Sequence, residues 1–148
     1  MLNKTHLAVG GLFMLIFLPS VVHKWVYFGV FLVATLLPNL DVILSGRKYL
    51  ILKPMRLFFK KRGFLHSFTF CLVITILLAW FWPILAFPFF LGYGIHLLLD
   101  SWTVEGIMPF WPLRAVSKGR VTTGGGFEHI LFYLAIVADV IAAYGVLF

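Results

Sequence analysis

A chain of 148 residues that is 62% hydrophobic, 18% aromatic and 11% charged, with a mean hydropathy of +1.04, lies outside the compositional range of water-soluble domains. These values exclude an ordinary soluble globular domain and point to an integral membrane protein. A formal net charge of +7 invites a nucleic-acid reading, which the distribution of the basic residues removes below.

Five apolar segments follow in chain order, at about residues 5 to 22, 25 to 44, 66 to 82, 87 to 103 and 127 to 147. Each approaches the roughly 20 residues that cross ~30 Å of hydrocarbon as a helix. Segments one and two are joined by a short polar turn at His23 and Lys24. The stretch from Leu65 to Trp102 is too long for one crossing, and Pro83 and Pro88 bracket Ile84 to Phe87, where a tight turn would divide it into a helical hairpin. The expected fold class is all-α, a single integral-membrane domain over residues 1–148 with about five transmembrane helices. Lys4, Arg47, Lys48, Lys53, Arg56, Lys60, Lys61, Arg62, Arg114, Lys118 and Arg120 then share one side, and Lys24 alone lies on the other. Basic residues near helix ends are retained in the cytoplasm, so the amino terminus is expected there. Topology accounts for the net charge, and no nucleic-acid partner is expected. No small-residue cleavage pattern follows helix one, so a cleavable signal is not expected either. Cys71, the single cysteine, falls inside helix three and reads as a core thiol.

On this scaffold His6, Asp41, His66, His96, Asp100 and Glu128 all approach the cytoplasmic side, one or two from every helix. Ionisable groups at membrane depth cost ~2.5 to 3.5 kcal/mol each on insertion scales, so their convergence argues for mutual compensation or a bound ion. His96 and Asp100, at i and i+4, share one helix face and could touch one metal. A histidine hydrogen-bonded to a carboxylate is the ordinary alternative. His129 points about 100° around the helix from Glu128 and reads as an interfacial or supporting residue. Asp139, about 16 Å along helix five from Glu128, is an intramembrane acid without an assigned role. Trp25, Tyr27, Trp80, Trp82 and Tyr144 near the outer surface, with Trp102 and Trp111 near the inner one, read as anchoring belts. The triplet Gly124 to Gly126 lacks the ending of a P-loop and reads as backbone passing close beneath the site.

The motifs Thr5-His6, Pro38-Asn39-Leu40-Asp41, Arg62-Gly63-Phe64-Leu65-His66-Ser67, Gly92 to Asp100 and Thr123 to Glu128, in this order over nearly the whole chain, carry a resemblance. The sequence resembles the family of LexA-regulated inner-membrane metal-dependent hydrolases, which is distantly similar to the zinc-dependent phospholipase C and single-strand nuclease superfamily. The resemblance implies a phospholipase C-like helical core and metal ligation by His6, Asp41, His66, His96, Asp100 and Glu128. Asn39 stands where the family usually has aspartate, which leaves the number of metals open between one and two. The amino-terminal ligand of secreted relatives is not expected here, because Met1 to Thr5 precede His6.

Nitrogen and oxygen donors without thiolate suit Zn²⁺, Mn²⁺ or Fe²⁺, with zinc first. Such a site would activate water for hydrolysis, with Glu128 or Asp100 as proton acceptor. Arg62, four residues before His66, is a candidate phosphate clamp or an interfacial anchor. Ile51, Met55 and Phe58 share one helical face, and Lys53, Arg56 and Lys60 another, as in an interfacial helix that meets anionic lipid. The expected function is phosphoric-ester hydrolysis on a phospholipid or lipid-linked phosphate at the cytoplasmic face of the inner membrane. The alternatives are a transporter or metal-handling protein whose ligands bind the transported ion, and a non-catalytic protein with a structural metal.

Overall fold

The computed structural model describes residues 1–39, 63–113 and 115–147. Among them are five α-helices and no strand: α1 (Asn3–Phe17), α2 (Lys24–Leu36), α3 (Phe68–Phe81), α4 (Pro83–Ser101) and α5 (Gly126–Leu147). The all-helical class agrees with the composition. α4 and α5 are long and apolar enough to cross a membrane, over Pro83–Ser101 and Gly126–Val146. α1, α2 and α3 are shorter, with 15, 13 and 14 residues. Proline explains part of the shortening. Pro19 opens a 3₁₀ turn over Leu18–Ser20 that ends α1 before residue 22.

The hairpin between α3 and α4 turns at a different place from the one expected. Trp82 (φ −143°, ψ 73°) alone separates the two helices, and its N–H still closes the last turn of α3 on Leu78 O at 2.7 Å. Pro83 begins α4, where a missing N–H costs nothing, and Pro88 is carried inside the helix. The helix therefore starts at residue 83 and not 87. Tyr27 also departs from the belt reading, being 2% exposed, whereas Trp25 (89%), Trp80 (82%) and Tyr144 (69%) do face outward.

α4 lies at the centre of the bundle, against α2 on one side and α3 on the other, with a lighter contact to α1; α5 packs on α1. One core cluster joins Ala34 of α2, Cys71 of α3 and Phe89, Tyr93 and Leu97 of α4 to Ile107 of the following loop. A second gathers Met1, Tyr27, Phe31, Ile95 and Leu99. Between them Gly92 allows α2 and α4 to meet backbone to backbone, because a Cβ there would lie 2.6 Å from Phe31 O and 3.0 Å from Thr35 Oγ1. Outward, α3 and α5 expose Val73, Ile76, Leu134, Val137 and Ile141. Such an apolar exterior suits hydrocarbon and not water.

Residues 102–113 and 115–125 fold back over the start of α3 and the end of α4. Thr103 organises them: Thr103 Oγ1 donates to Asp100 O (2.7 Å) and accepts from Gly106 N (3.2 Å), while Thr103 O accepts from Gly119 N (3.0 Å). Pro109 O accepts from Phe68 N (2.8 Å), which ties this segment to the first turn of α3.

Candidate metal centre

Each element delivers its polar group through a local feature of sequence. His66 ends a 3₁₀ turn, Phe64–His66, closed by His66 N on Gly63 O at 3.1 Å. Ser67 then caps α3, accepting from Phe70 N at 3.2 Å and donating to Phe64 O at 2.6 Å. The Gly63 to Ser67 part of the arginine-glycine motif is thus a turn and a helix cap that fix where His66 points. His96 and Asp100 stand one turn apart on α4, and His6 lies at the end of the first turn of α1.

The four side chains meet around the Asp100 carboxylate. His6 Nε2 lies 3.3 Å from Asp100 Oδ1; His66 Nε2 and His96 Nε2 lie 3.5 and 3.6 Å from Oδ2. All three imidazoles are fully buried and Asp100 is 2% exposed. The rings of His6 and His96 stack at 3.9 Å with planes 17° apart, and His66 meets His96 edge-on at 5.5 Å.

The other ring nitrogens set the chemistry. His96 Nδ1 lies 2.7 Å from Thr35 O, and His6 Nδ1 lies 3.1 Å from Leu2 O. A carbonyl can only accept, so both Nδ1 atoms carry a proton, and in the neutral imidazole the Nε2 atom that faces the carboxylate is the one free to ligate. Thr35 can serve because it sits in the last turn of α2, where carbonyls have no donor within the helix. His6 Nε2 and His96 Nε2 have no hydrogen-bond partner among the described residues. Two imidazole nitrogens and a carboxylate facing one another in a buried space form a group that could hold a metal ion. The spacing suits one: donors bound tetrahedrally at ~2.05 Å stand ~3.3 Å apart. One coordinating atom from each of His6, His96 and Asp100 lies within 4.8 Å of the others.

A further group enters that the sequence reading excluded. The amino group of Met1 contacts Asp100 Oδ1, and both are buried. Counting five residues ahead of His6 treats them as a spacer. They are instead wound back, because Leu2 is the cap of α1 and Thr5 N and His6 N both bond to Leu2 O (3.0 and 3.3 Å).

Glu128 is 1% exposed at the start of α5, and both its oxygens accept from backbone: Oε1 from Leu2 N and Oε2 from Gly124 N, each at 2.6 Å. Gly124 takes the left-handed conformation (φ 77°) that turns its N–H toward the carboxylate. Glu128 thereby fastens residues 1 and 2 beside Asp100. His129 Nδ1 instead lies 2.9 Å from Gly125 O at an exposed position away from the cluster. Asn39 donates to Asn3 Oδ1 at 2.8 Å, tying α2 to the start of α1. Asp139 lies against Gly11, where a Cβ would stand 3.3 Å from its Oδ2. Asp41, Arg62 and the interfacial segment from Ile51 to Lys60 lie outside the described residues.

The sequence profile of the YdjM inner membrane protein family matches residues 1–147. The chain belongs to the YdjM inner membrane protein family. The match covers all the groups that meet at Asp100 and bears out the inner-membrane family read from the motifs. Family membership carries the location and no reaction. No curated protein matches the chain, and no solved structure does.

Proposed function

We propose that the chain is a membrane-embedded, metal-dependent hydrolase that cleaves a phosphoric ester of a phospholipid or lipid-linked phosphate at the cytoplasmic face. The observation that carries this reading is the pair of buried Nε2 atoms, on His6 and His96, held toward Asp100 by Nδ1 bonds to Leu2 O and Thr35 O. Bonds of this second kind orient imidazoles that ligate metal. His6, His96 and Asp100 would hold the ion, with His66 and the Met1 amino group beside them. Nitrogen groups flank both oxygens of Asp100, which accommodates either one ion or two sharing the carboxylate. Zinc is the first choice, with manganese or iron as alternatives. A divalent ion there supplies Lewis acidity toward a phosphoryl oxygen and a hydrolytic water effective at neutral pH.

The chain's own groups complete the site. Glu128 holds Leu2 in place, and Glu128 or Asp100 would accept the proton from a hydrolytic water. Arg62 precedes His66 by four residues and is proposed to clamp a substrate phosphate. We further read α1, α2 and α3 as crossing with α4 and α5, giving a five-helix, phospholipase C-like bundle with a cytoplasmic amino terminus and anionic lipid at the basic 47–62 segment. His96 and Asp100 sit in the last two turns of α4, which on this reading is the edge of the bilayer, where headgroups are met. That edge position favours a surface hydrolase over a transporter, whose ligands belong near the midplane.

The test is release of glycerol phosphate from phosphatidylglycerol, and of inorganic phosphate from phosphatidic acid and undecaprenyl phosphate, in mixed micelles with and without added zinc or manganese. Metal-dependent release by the parent, lost in Asp100→Asn, is the expected result. No release from any of them by the metal-loaded parent would remove the phosphoesterase reading.

A further inference from the structure

At the other end of α4 from the metal cluster, a cleft of about 270 Å³ opens between the start of α2 and the start of α4. Its walls are apolar, with Val21, Ile84 and Phe87 among them, and Tyr27 and His23 also line it. The volume exceeds the ~150 Å³ that admits a benzene-sized guest. Tyr27 is 2% exposed and its ring stacks on Phe87 at 6.1 Å, yet its hydroxyl is buried without a hydrogen-bond partner among the described residues. Leaving a buried hydroxyl unsatisfied costs on the order of 1 to 3 kcal/mol, which a bound acceptor atom would recover. Pro88, also in the wall, lacks the N–H that would pair with Ile84 O, so a carbonyl beside the cleft loses its helical donor as well.

The rim carries the second half of a ligand's description. His23 and Lys24 are exposed at the amino end of the 13-residue α2, and neither residues 17–27 nor residues 80–91 contain an acid. Lys24 and the helix terminus favour an anion there. Trp25 and Trp82, 89% and 61% exposed, adjoin the cleft residues in sequence and suit the level of lipid headgroups. An apolar slot, a tyrosine in its wall with a buried hydroxyl unpaired among the described residues, and a cationic rim describe one molecule.

We propose that this cleft binds a single anionic glycerophospholipid of the opposite leaflet, an acyl chain in the slot, an ester oxygen accepting from Tyr27 and the phosphate on Lys24. The proposal rests on the reading of α4 as a membrane crossing and is independent of any metal. Its location separates this lipid from substrate, since α4 carries the metal ligands at the end farther from Pro83.

The experiment is native mass spectrometry of the full chain from non-ionic detergent, titrated with dioleoyl phosphatidylglycerol and separately with dioleoyl phosphatidylcholine. The parent retains one phosphatidylglycerol in preference to phosphatidylcholine. Tyr27→Phe and Lys24→Gln each weaken retention about five-fold, the effect of one hydrogen bond or partly exposed charge contact. Ile84→Trp fills the slot and removes the adduct. Lipid-free Tyr27→Phe melts above the lipid-free parent, because an unsatisfied hydroxyl is gone, and loses that advantage when phosphatidylglycerol is added. Equal retention of both lipids by the parent, or parent-like retention in both Tyr27→Phe and Lys24→Gln, overturns the proposal. Metal content read on the same samples reports separately on the hydrolase site.

Discussion

Replacing Gly92 by alanine tests whether helix packing sets the metal geometry. The new Cβ would stand 2.6 Å from Phe31 O, 3.0 Å from Thr35 Oγ1 and 3.3 Å from Ala34 Cβ. Ordinary contact requires about 3.4 Å, so α2 must retreat from α4 by roughly 0.8 Å near Phe31. Thr35 is one turn further along the same face, and its carbonyl holds His96 Nδ1 at 2.7 Å. A retreat of that size carries the pair to about 3.5 Å, past the limit of a hydrogen bond. Overpacking costs about 1 to 3 kcal/mol, offset by up to ~1 kcal/mol of improved helix propensity. Loss of the bond that orients a ligating histidine lowers metal affinity about 10- to 100-fold. Chelator competition on folded Gly92→Ala protein measures the second quantity, and thermal unfolding in detergent the first. Parent-like affinity with parent-like unfolding would refute the claim that Gly92 permits the approach of α2 on which His96 depends.

Three other substitutions separate ligands from supports. Glu128→Gln keeps the size of the side chain but turns an amide NH₂ toward Leu2 N or Gly124 N; metal affinity is expected to fall about 10-fold with no change in metal-to-protein ratio at saturation, and a halved ratio would make Glu128 a direct ligand. Ser67→Ala removes the cap of α3 and is expected to destabilise the fold by about 1 kcal/mol, read as a lower melting temperature, with an unchanged value contradicting the capping role. His129→Ala, at an exposed position bonded to Gly125 O, is expected to leave metal affinity unaltered, and any loss beyond a few-fold would place His129 in the site.

The centre of the site was legible because helical spacing needs no tertiary knowledge. An i, i+4 histidine and aspartate on an apolar helix must share a face, and the one-sided clustering of polar residues brought His6 and His66 to the same level. Contacts made by backbone were not legible. Thr35 and Leu2 act through carbonyls and Met1 through its amino group, none of which leaves a signature in side-chain identity. Glu128 reaches Leu2 N next to the Met1–Asp100 contact, but its oxygens turn to backbone, to Leu2 N and Gly124 N, because the glycine-rich turn aims an N–H at it. The start of α4 was displaced by four residues because a proline reads as a break, although Pro88 lies inside the helix and the turn falls at Trp82. Tyr27 looked interfacial by its position near His23 and Lys24; packing against Phe31 and Phe87 buries it instead.

The central claim is that the buried Nε2 atoms at Asp100 hold a divalent metal. Inductively coupled plasma mass spectrometry of detergent-purified protein, with X-ray absorption at the edge of any metal found, tests it directly. The expected result is one or two zinc, manganese or iron ions per chain, with only nitrogen and oxygen neighbours at about 2.0 to 2.2 Å, lost in a folded His96→Ala, Asp100→Ala variant. A parent chain that binds none of these metals under replete conditions, or one that keeps its metal in that variant, would contradict the account and leave the cluster as a protonated polar network.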